Sequence, residues 1–201
     1  MKLRLTVGIL VTLIQLFLYI NADWIYGPYA DQARNVLLAY FILTTVVLAS
    51  FAVKLPTLDV GEKGLYNFFV GFVLTSVFML LIPKALQARL ASIETTAMAL
   101  GFGLLHGFVK AYNEEIVFRG ILPKALGGGL YADVLSNILF GLFHLAVTGA
   151  SLPAIFLLSI LGMIWAFIRN RIGLMGSTGS HFAYNLGVMG VLDKIFSPGG
   201  W

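Results

Sequence analysis

Three short polar sets interrupt an otherwise apolar chain. Glu114, Glu115 and Arg119 stand in "YNEEIVFR", His144 in "NILFGLFHLAV", and His181 and Asn185 in "HFAYN". An ionisable group costs about 2.5–3.5 kcal/mol inside a membrane span, so those that a span retains are candidates for function. A carboxylate and a histidine can activate water by general base catalysis once burial tunes them. A second histidine and an asparagine, one turn apart, can donate hydrogen bonds to an oxyanion. Together these are parts for amide hydrolysis without a covalent nucleophile. The chain has no cysteine, which excludes a thiolate nucleophile, a disulfide and a cysteine metal site.

Spacing sorts the charges. Glu115 and Arg119 are four apart, so they share a helix face and can pair. Glu114 is turned about 100° from Glu115 by the helical period and points elsewhere. Glu115 and Arg119 are thus expected to neutralise each other and fix their helix, leaving Glu114 for chemistry. His181 and Asn185 are also four apart and face one way. Alone, such a pair can be helix glue, and a lone histidine in an apolar helix such as His144 more often bonds a neighbouring helix than catalyses. His106 and Asn137 are secondary polar candidates.

Whether the sets meet is a question of depth. The turn between the helices that carry Glu114 and His144, the fourth and fifth of the chain, is "GGG", Gly127 to Gly129, with Glu114 13 residues before it and His144 15 residues after it. At about 1.5 Å per residue these are roughly 20 and 22 Å, so the two side chains reach nearly one depth in an antiparallel hairpin. His181 and Asn185 lie 8 and 12 residues beyond Gly173, or roughly 12 and 18 Å along a helix that begins there. Four polar groups from three helices can then line one cavity within the bilayer. Pro123 is expected to end or kink the first arm near Leu122, because proline lacks an N–H and clashes with the preceding turn. That would shift Glu114 relative to His144.

The elements that must position these residues are membrane helices. The 201 residues are 59% hydrophobic and 11% charged, with mean hydropathy +0.93, whereas a soluble domain is about 25% charged. The net charge of +4 is read for topology, and no nucleic-acid partner is expected. Spanning the bilayer takes roughly 20 mostly apolar residues. Seven runs fit: 5–20, 36–53, 65–82, about 96–125, 134–147, 152–168 and 178–196. With the N-terminus inside, nine basic residues fall inside (Lys2, Arg4, Lys54, Lys63, Lys110, Arg119, Lys124, Arg169 and Arg171). Four fall outside (Arg34, Lys84, Arg89 and Lys194), which favours N-in and C-out. The expected fold is all-α, a polytopic bundle of about seven transmembrane helices. Residues 1–94 would hold three spans and an interfacial helix at "KALQARLASIE", Lys84 to Glu94. Residues 95–201 would form a four-helix catalytic core. The first run is read as a retained anchor, since Ile20-Asn21-Ala22 is a poor signal cleavage site. "ADWIYGPYADQ", Ala22 to Gln32, reads as a short loop whose aromatic residues suit the headgroup interface.

The polar sets also carry a family resemblance. "EEIVFR" (Glu114 to Arg119) matches an EExxxR signature, "FGLFH" (Phe140 to His144) matches FxxxH, and "HFAYN" matches HxxxN. In this order, on successive membrane helices, they resemble the CPBP family, which comprises the Rce1-type CAAX prenyl proteases and the bacterial Abi or bacteriocin-processing proteins. The resemblance spans about 96–196. It implies an intramembrane endopeptidase of the glutamate type. Glu114 would be the general base, His144 would orient the water, and His181 and Asn185 would stabilise the oxyanion. Glu115 and Arg119 would support them. The substrate would be a membrane-associated peptide or protein, either prenylated CAAX or bacteriocin-like, in a bacterial plasma membrane.

Metal-free catalysis is the favoured expectation. Were zinc used, Glu114, His144 and His181 would be its ligands, since three protein ligands plus water is a catalytic zinc pattern; HExxH is absent. Two other readings use the same residues. One is a non-catalytic immunity or scaffold protein that keeps the cluster for packing. The other is a proton-coupled transporter, which is often built from internal repeats; no repeat is evident here.

Overall fold

The computed structural model describes residues 2–52, 62–81, 100–148 and 151–188, and the regular structure among them is helical throughout. Four helices make up the first part: α1 (Lys2–Ile20), α2 (Ala22–Tyr26), α3 (Ala30–Ala52) and α4 (Glu62–Leu81), with a 3₁₀ turn at Gly27–Tyr29. Then come α5 (Leu100–Glu114), a π-helix (Glu115–Ile121), α6 (Leu122–Ala125), α7 (Gly129–Thr148) and α8 (Leu152–Val188). The segment Lys84 to Glu94 and the basic residues Lys54, Lys84, Arg89 and Lys194 lie outside the described residues.

One expectation is corrected. The loop expected at Ala22–Gln32 is helical apart from a break at Gly27, whose φ of 51° suits glycine. Burial decides this: Ile25, Tyr26 and Ala30 pack with Leu18, Ala33 and Leu37, and a helix satisfies the backbone groups that such burial removes from water. Trp24 stays 74% exposed.

The helix that carries His181 begins at Gly173 as expected: helix flanks "RNRIG" on both sides and is interrupted at Ile172 and Gly173, the latter at φ 80°, ψ 172°. That break reverses the chain. Trp165 stacks on His181 with ring centroids 3.8 Å apart, whereas sixteen residues of straight helix would part them by roughly 24 Å. So α8 is a hairpin with a first arm at 152–171 and a second arm at 174–188.

Among the described residues three helical stretches are long and apolar enough to cross a membrane: Ala22–Ala49, Lys63–Leu81 and Leu152–Val188, the last taken across its reversal at Gly173. The apolar stretches Ile9–Ile20 and Gly129–Leu145 are shorter. Side chains sort as a bilayer demands. Leu13, Phe17, Ile42, Leu74, Phe78, Phe156 and Phe167 face outward, while Gln15, Thr44, Asn113, Glu114, Glu115, Arg119 and His181 are buried. A polar interior wrapped in apolar surface inverts the soluble pattern.

The second arm of α8 lies backbone to backbone on α4. A Cβ on Gly71 would collide with the carbonyl of Gly176, and one on Gly179 with the carbonyl of Phe68. Small residues allow this approach, which drives helix association where water supplies no hydrophobic force. Gly179→Leu should therefore push α4 from α8 and lower the thermal unfolding midpoint in detergent, at an overpacking cost of about 1–3 kcal/mol. An unchanged midpoint would mean that the arms part without cost.

Candidate active site

The first polar set sits where an α-helix widens into a π-helix. Glu114 ends α5 and Glu115 opens the π-helix. Its last turn is closed by the Leu122 N–H on the Val117 carbonyl, five residues back. Such π segments are rare and recur at functional sites. Proline explains part of this one. Pro123 brings no N–H, so the carbonyls four and five residues back need other donors. Nη1 of Arg169 donates to the Arg119 carbonyl at 3.1 Å, and Oγ of Ser136 donates to the Phe118 carbonyl. Arg169 is itself held by Asp133, with Nη2–Oδ1 and Nη2–Oδ2 distances of 2.6 and 2.8 Å. The expected break near Leu122 thus takes the form of a widened turn, after which helix resumes through Ala125.

Glu115 and Arg119 pair as their spacing suggests, with Nη1 3.1 Å from Oε1 and both side chains fully buried. The guanidinium also lies 4.0 Å from the ring centre of Phe140 and 5.2 Å from that of Trp165, within cation–π range. Glu115 has two more partners. Ser177 donates to its Oε2, and Nδ1 of His181 lies 2.8 Å from its Oε1. A carboxylate accepts only, so His181 carries its proton at Nδ1 on this contact. Gly162 leaves room for the guanidinium: a Cβ there would stand 2.7 Å from Nη2 of Arg119 and 2.5 Å from Oδ1 of Asn137. Gly162→Ala is expected to displace Arg119 and destabilise by about 1–3 kcal/mol, read as a lower unfolding midpoint in detergent.

Glu114 faces away from that pair and toward both histidines. Its Oε1 is 3.8 Å from Nε2 of His144, and its Oε2 is 3.3 Å from Nε2 of His181. The hydroxyl of Tyr40, on α3, donates to Oε1. His144 is oriented by its own helix, with Nδ1 3.0 Å from the Phe140 carbonyl. A carbonyl oxygen only accepts, so the proton of this contact is on Nδ1, which leaves Nε2 as the acceptor 3.8 Å from Oε1 of Glu114. Phe140 backs both imidazoles, with ring centroids 4.6 Å from His144 and 5.9 Å from His181.

Asn185 sits one turn beyond His181 and is buried. Its Nδ2 donates to the Gly107 carbonyl on α5 at 3.2 Å. Of the secondary candidates, His106 bonds the Tyr26 hydroxyl at 2.9 Å, and Asn137 donates to the Asp133 carbonyl at 2.7 Å. Neither belongs to the Glu114 group. Among the described residues no three His, Asp or Glu side chains are grouped as a metal site.

Three contributors escape a reading of the sequence. Ser177 precedes His181 by four, so the face they share was a usable signal. Tyr40 stands in an apolar run with Thr44 one turn on, which hints at a polar stripe. Trp165 carries no signal, because its place over His181 depends on the reversal at Gly173.

Comparison with known proteins follows the same residues. No curated protein and no solved structure matches the chain. The family described as Rce1-like, type II CAAX prenyl endopeptidase Rce1-like, matches residues 92–187, just under half of the chain. The matched stretch contains Glu114, His144, His181 and Asn185 and leaves out α1 to α4. Residues 92–187, the stretch that carries these side chains, are thus similar to the Rce1-like family of type II CAAX prenyl endopeptidases.

Proposed function

We propose that the chain is an intramembrane endopeptidase of the glutamate type, in which Glu114 and His144 share one water. The observation that carries this is the 3.8 Å gap between Oε1 of Glu114 and Nε2 of His144, two acceptors facing each other. One water about 2.8 Å from each can donate a hydrogen to both. Its lone pairs then point away from both, toward a carbonyl carbon. Glu114 takes a proton as the water oxygen bonds to that carbon, and the carbonyl oxygen becomes an oxyanion. The proton passes to the amide nitrogen, the C–N bond breaks, and an acid and an amine leave.

Charge balance supports His181 as the oxyanion donor. Glu114 and Glu115 with Arg119 leave one negative charge in a buried cluster, which is costly unless compensated. A second ring proton on His181 closes the balance. Nδ1–H then donates to Glu115, and Nε2–H, which stands 3.3 Å from Oε2 of Glu114 without a hydrogen bond to it, is left for the oxyanion. Asn185 has a second amide N–H beyond the one given to Gly107, and this is its donor to the oxyanion. The substrate is a membrane-associated peptide, prenylated CAAX or bacteriocin-like. The proposal extends to seven spans with the N-terminus inside a bacterial plasma membrane, and to a division into residues 1–94 and a catalytic core at 95–201.

The test incubates purified protein with prenylated and unprenylated CAAX peptides, beside Glu114→Ala and His144→Ala, with and without chelator. Cleavage that both alanines abolish supports the assignment, and undiminished cleavage by Glu114→Ala sinks it. Loss with chelator that zinc restores would replace the metal-free mechanism by one with Glu114, His144 and His181 as ligands. A biological phenotype kept by both alanines would favour the scaffold, and pH-gradient-driven uptake the transporter.

A further inference from the structure

The base proposed at Glu114 is held from outside the stretch that matches the family. Tyr40 lies on α3 and is 1% exposed. Its ring is fixed edge-on against Phe143 of α7, with centroids 5.9 Å apart, and Lys110 of α5 lies 5.8 Å from its ring centre. Its backbone is tied too. Oγ1 of Thr44 donates to the Tyr40 carbonyl at 2.9 Å, and lies 2.7 Å from Oε1 of Gln15 and 3.0 Å from Oδ1 of Asn113. This buried polar knot joins α1, α3 and α5 one residue before Glu114. The Tyr40 hydroxyl then donates to Oε1 of Glu114, the same oxygen that faces His144. Glu114 accepts no other hydrogen bond from a side chain among the described residues, and its Oε2 has none.

From this geometry we propose that Tyr40 is a positioning residue of the active site, and that α3 completes a centre which residues 92–187 do not complete alone. The inference rests on the reading of Glu114 as the base. A carboxylate at the end of three rotatable bonds needs a fixed donor to hold one orientation. Arg119 is not that donor, because its guanidinium makes no hydrogen bond to Glu114 and lies against Glu115, with Nη1 3.1 Å from Oε1. Neither is His144, whose Nδ1 faces the Phe140 carbonyl, nor His181, whose Nε2 stands 3.3 Å from Oε2 without a hydrogen bond to it. Tyr40 therefore sets the carboxylate plane, and with it the direction in which the water is held. A tyrosine also keeps the oxygen neutral and apolar-backed, so it orients the base without pairing its charge.

The experiment uses the full chain and has two readouts. In the first, Tyr40→Phe is compared with wild type in peptide cleavage. Loss of a hydrogen bond to a charged group predicts a fall in kcat of about 10- to 100-fold, with KM little changed because the substrate does not touch Tyr40. A packing defect alone would move KM and the unfolding midpoint as well. In the second, infrared difference spectra assign the Glu114 carboxyl band by its loss in Glu114→Gln, and Tyr40→Phe should move that band. If wild type cleaves and Tyr40→Phe keeps its kcat, the positioning role is overturned. An unmoved infrared band overturns it whether or not cleavage is observed. Failure of Glu114→Ala to lose activity overturns the base assignment instead, and leaves the infrared readout to decide whether Tyr40 holds that carboxylate. Should Tyr40→Phe not fold, 3,5-difluorotyrosine at position 40 keeps ring and hydroxyl but makes a more acidic donor, and the same band should again move.

Discussion

Glu114→Gln is expected to lower kcat by about 10²- to 10⁴-fold, the range that general base catalysis supplies, while KM stays close to wild type. Glutamine is the sharper substitution because it keeps the shape. Its amide oxygen can still accept from Tyr40, and its volume still fills the space between the two histidines. What it cannot do is take a proton from water. Glu114→Asp keeps the base but withdraws it by one methylene, and misplacement of about 1 Å costs about 10²-fold. The two variants thus separate proton transfer from geometry. His144→Ala combined with Glu114→Gln adds a further discriminator. Residues that hold one water act as a unit, so the double variant should be little worse than the more damaged single one. Multiplicative losses would show that Glu114 and His144 act on different steps, and would remove the shared water from the mechanism.

Part of this site is legible before any coordinates because helices make distances along the chain into distances in space. Four residues bring Glu115 to Arg119. Nearly equal arms on either side of Gly127–Gly129 bring Glu114 to His144, and the side chains lie 3.8 Å apart. The rise per residue carries that inference, and the π-helix at Glu115–Ile121, although it lies between Glu114 and the turn, alters the arm too little to part the two side chains. The remainder depends on contacts between elements far apart in sequence. Tyr40 reaches Glu114 across 74 residues. His181 was assignable to the Glu114 cavity, but its Nδ1 bond to Glu115 was not, since the helical period turns the two glutamates apart. They meet again because an imidazole has two nitrogens on opposite edges, and each glutamate takes one. The helical state of Ala22–Gln32 was missed for a related reason. Gly27, Pro28 and polar residues weigh toward a loop locally, while burial of Ile25 and Tyr26 against α1 and α3 weighs the other way and wins.

Arg119→Leu should be the most damaging change outside the reacting groups, and for stability before chemistry. Arg119 is fully buried, and so is Glu115. Removing the guanidinium leaves a buried carboxylate whose remaining partners are Ser177 and His181. Breaking one side of a buried ion pair costs about 3–5 kcal/mol, because the other charge stays desolvated. Arg119→Lys is expected to recover only part of this. An ammonium can neutralise Glu115, but it lacks the planar group that packs on Phe140 and Trp165. The double variant Glu115→Gln/Arg119→Leu removes both charges, and neutral replacement of a buried pair is often tolerated. Its unfolding midpoint in detergent should therefore lie well above that of Arg119→Leu alone. Activity should not follow stability back. Without the Glu115 carboxylate, Nδ1 of His181 loses its charged acceptor, and nothing then favours the second ring proton that the oxyanion needs. A double variant that is stable yet slow in peptide cleavage is the expected result. If it regained full activity, Glu115 and Arg119 would be packing residues alone. If Arg119→Leu unfolded at the wild-type midpoint, the buried pair would not hold these helices together.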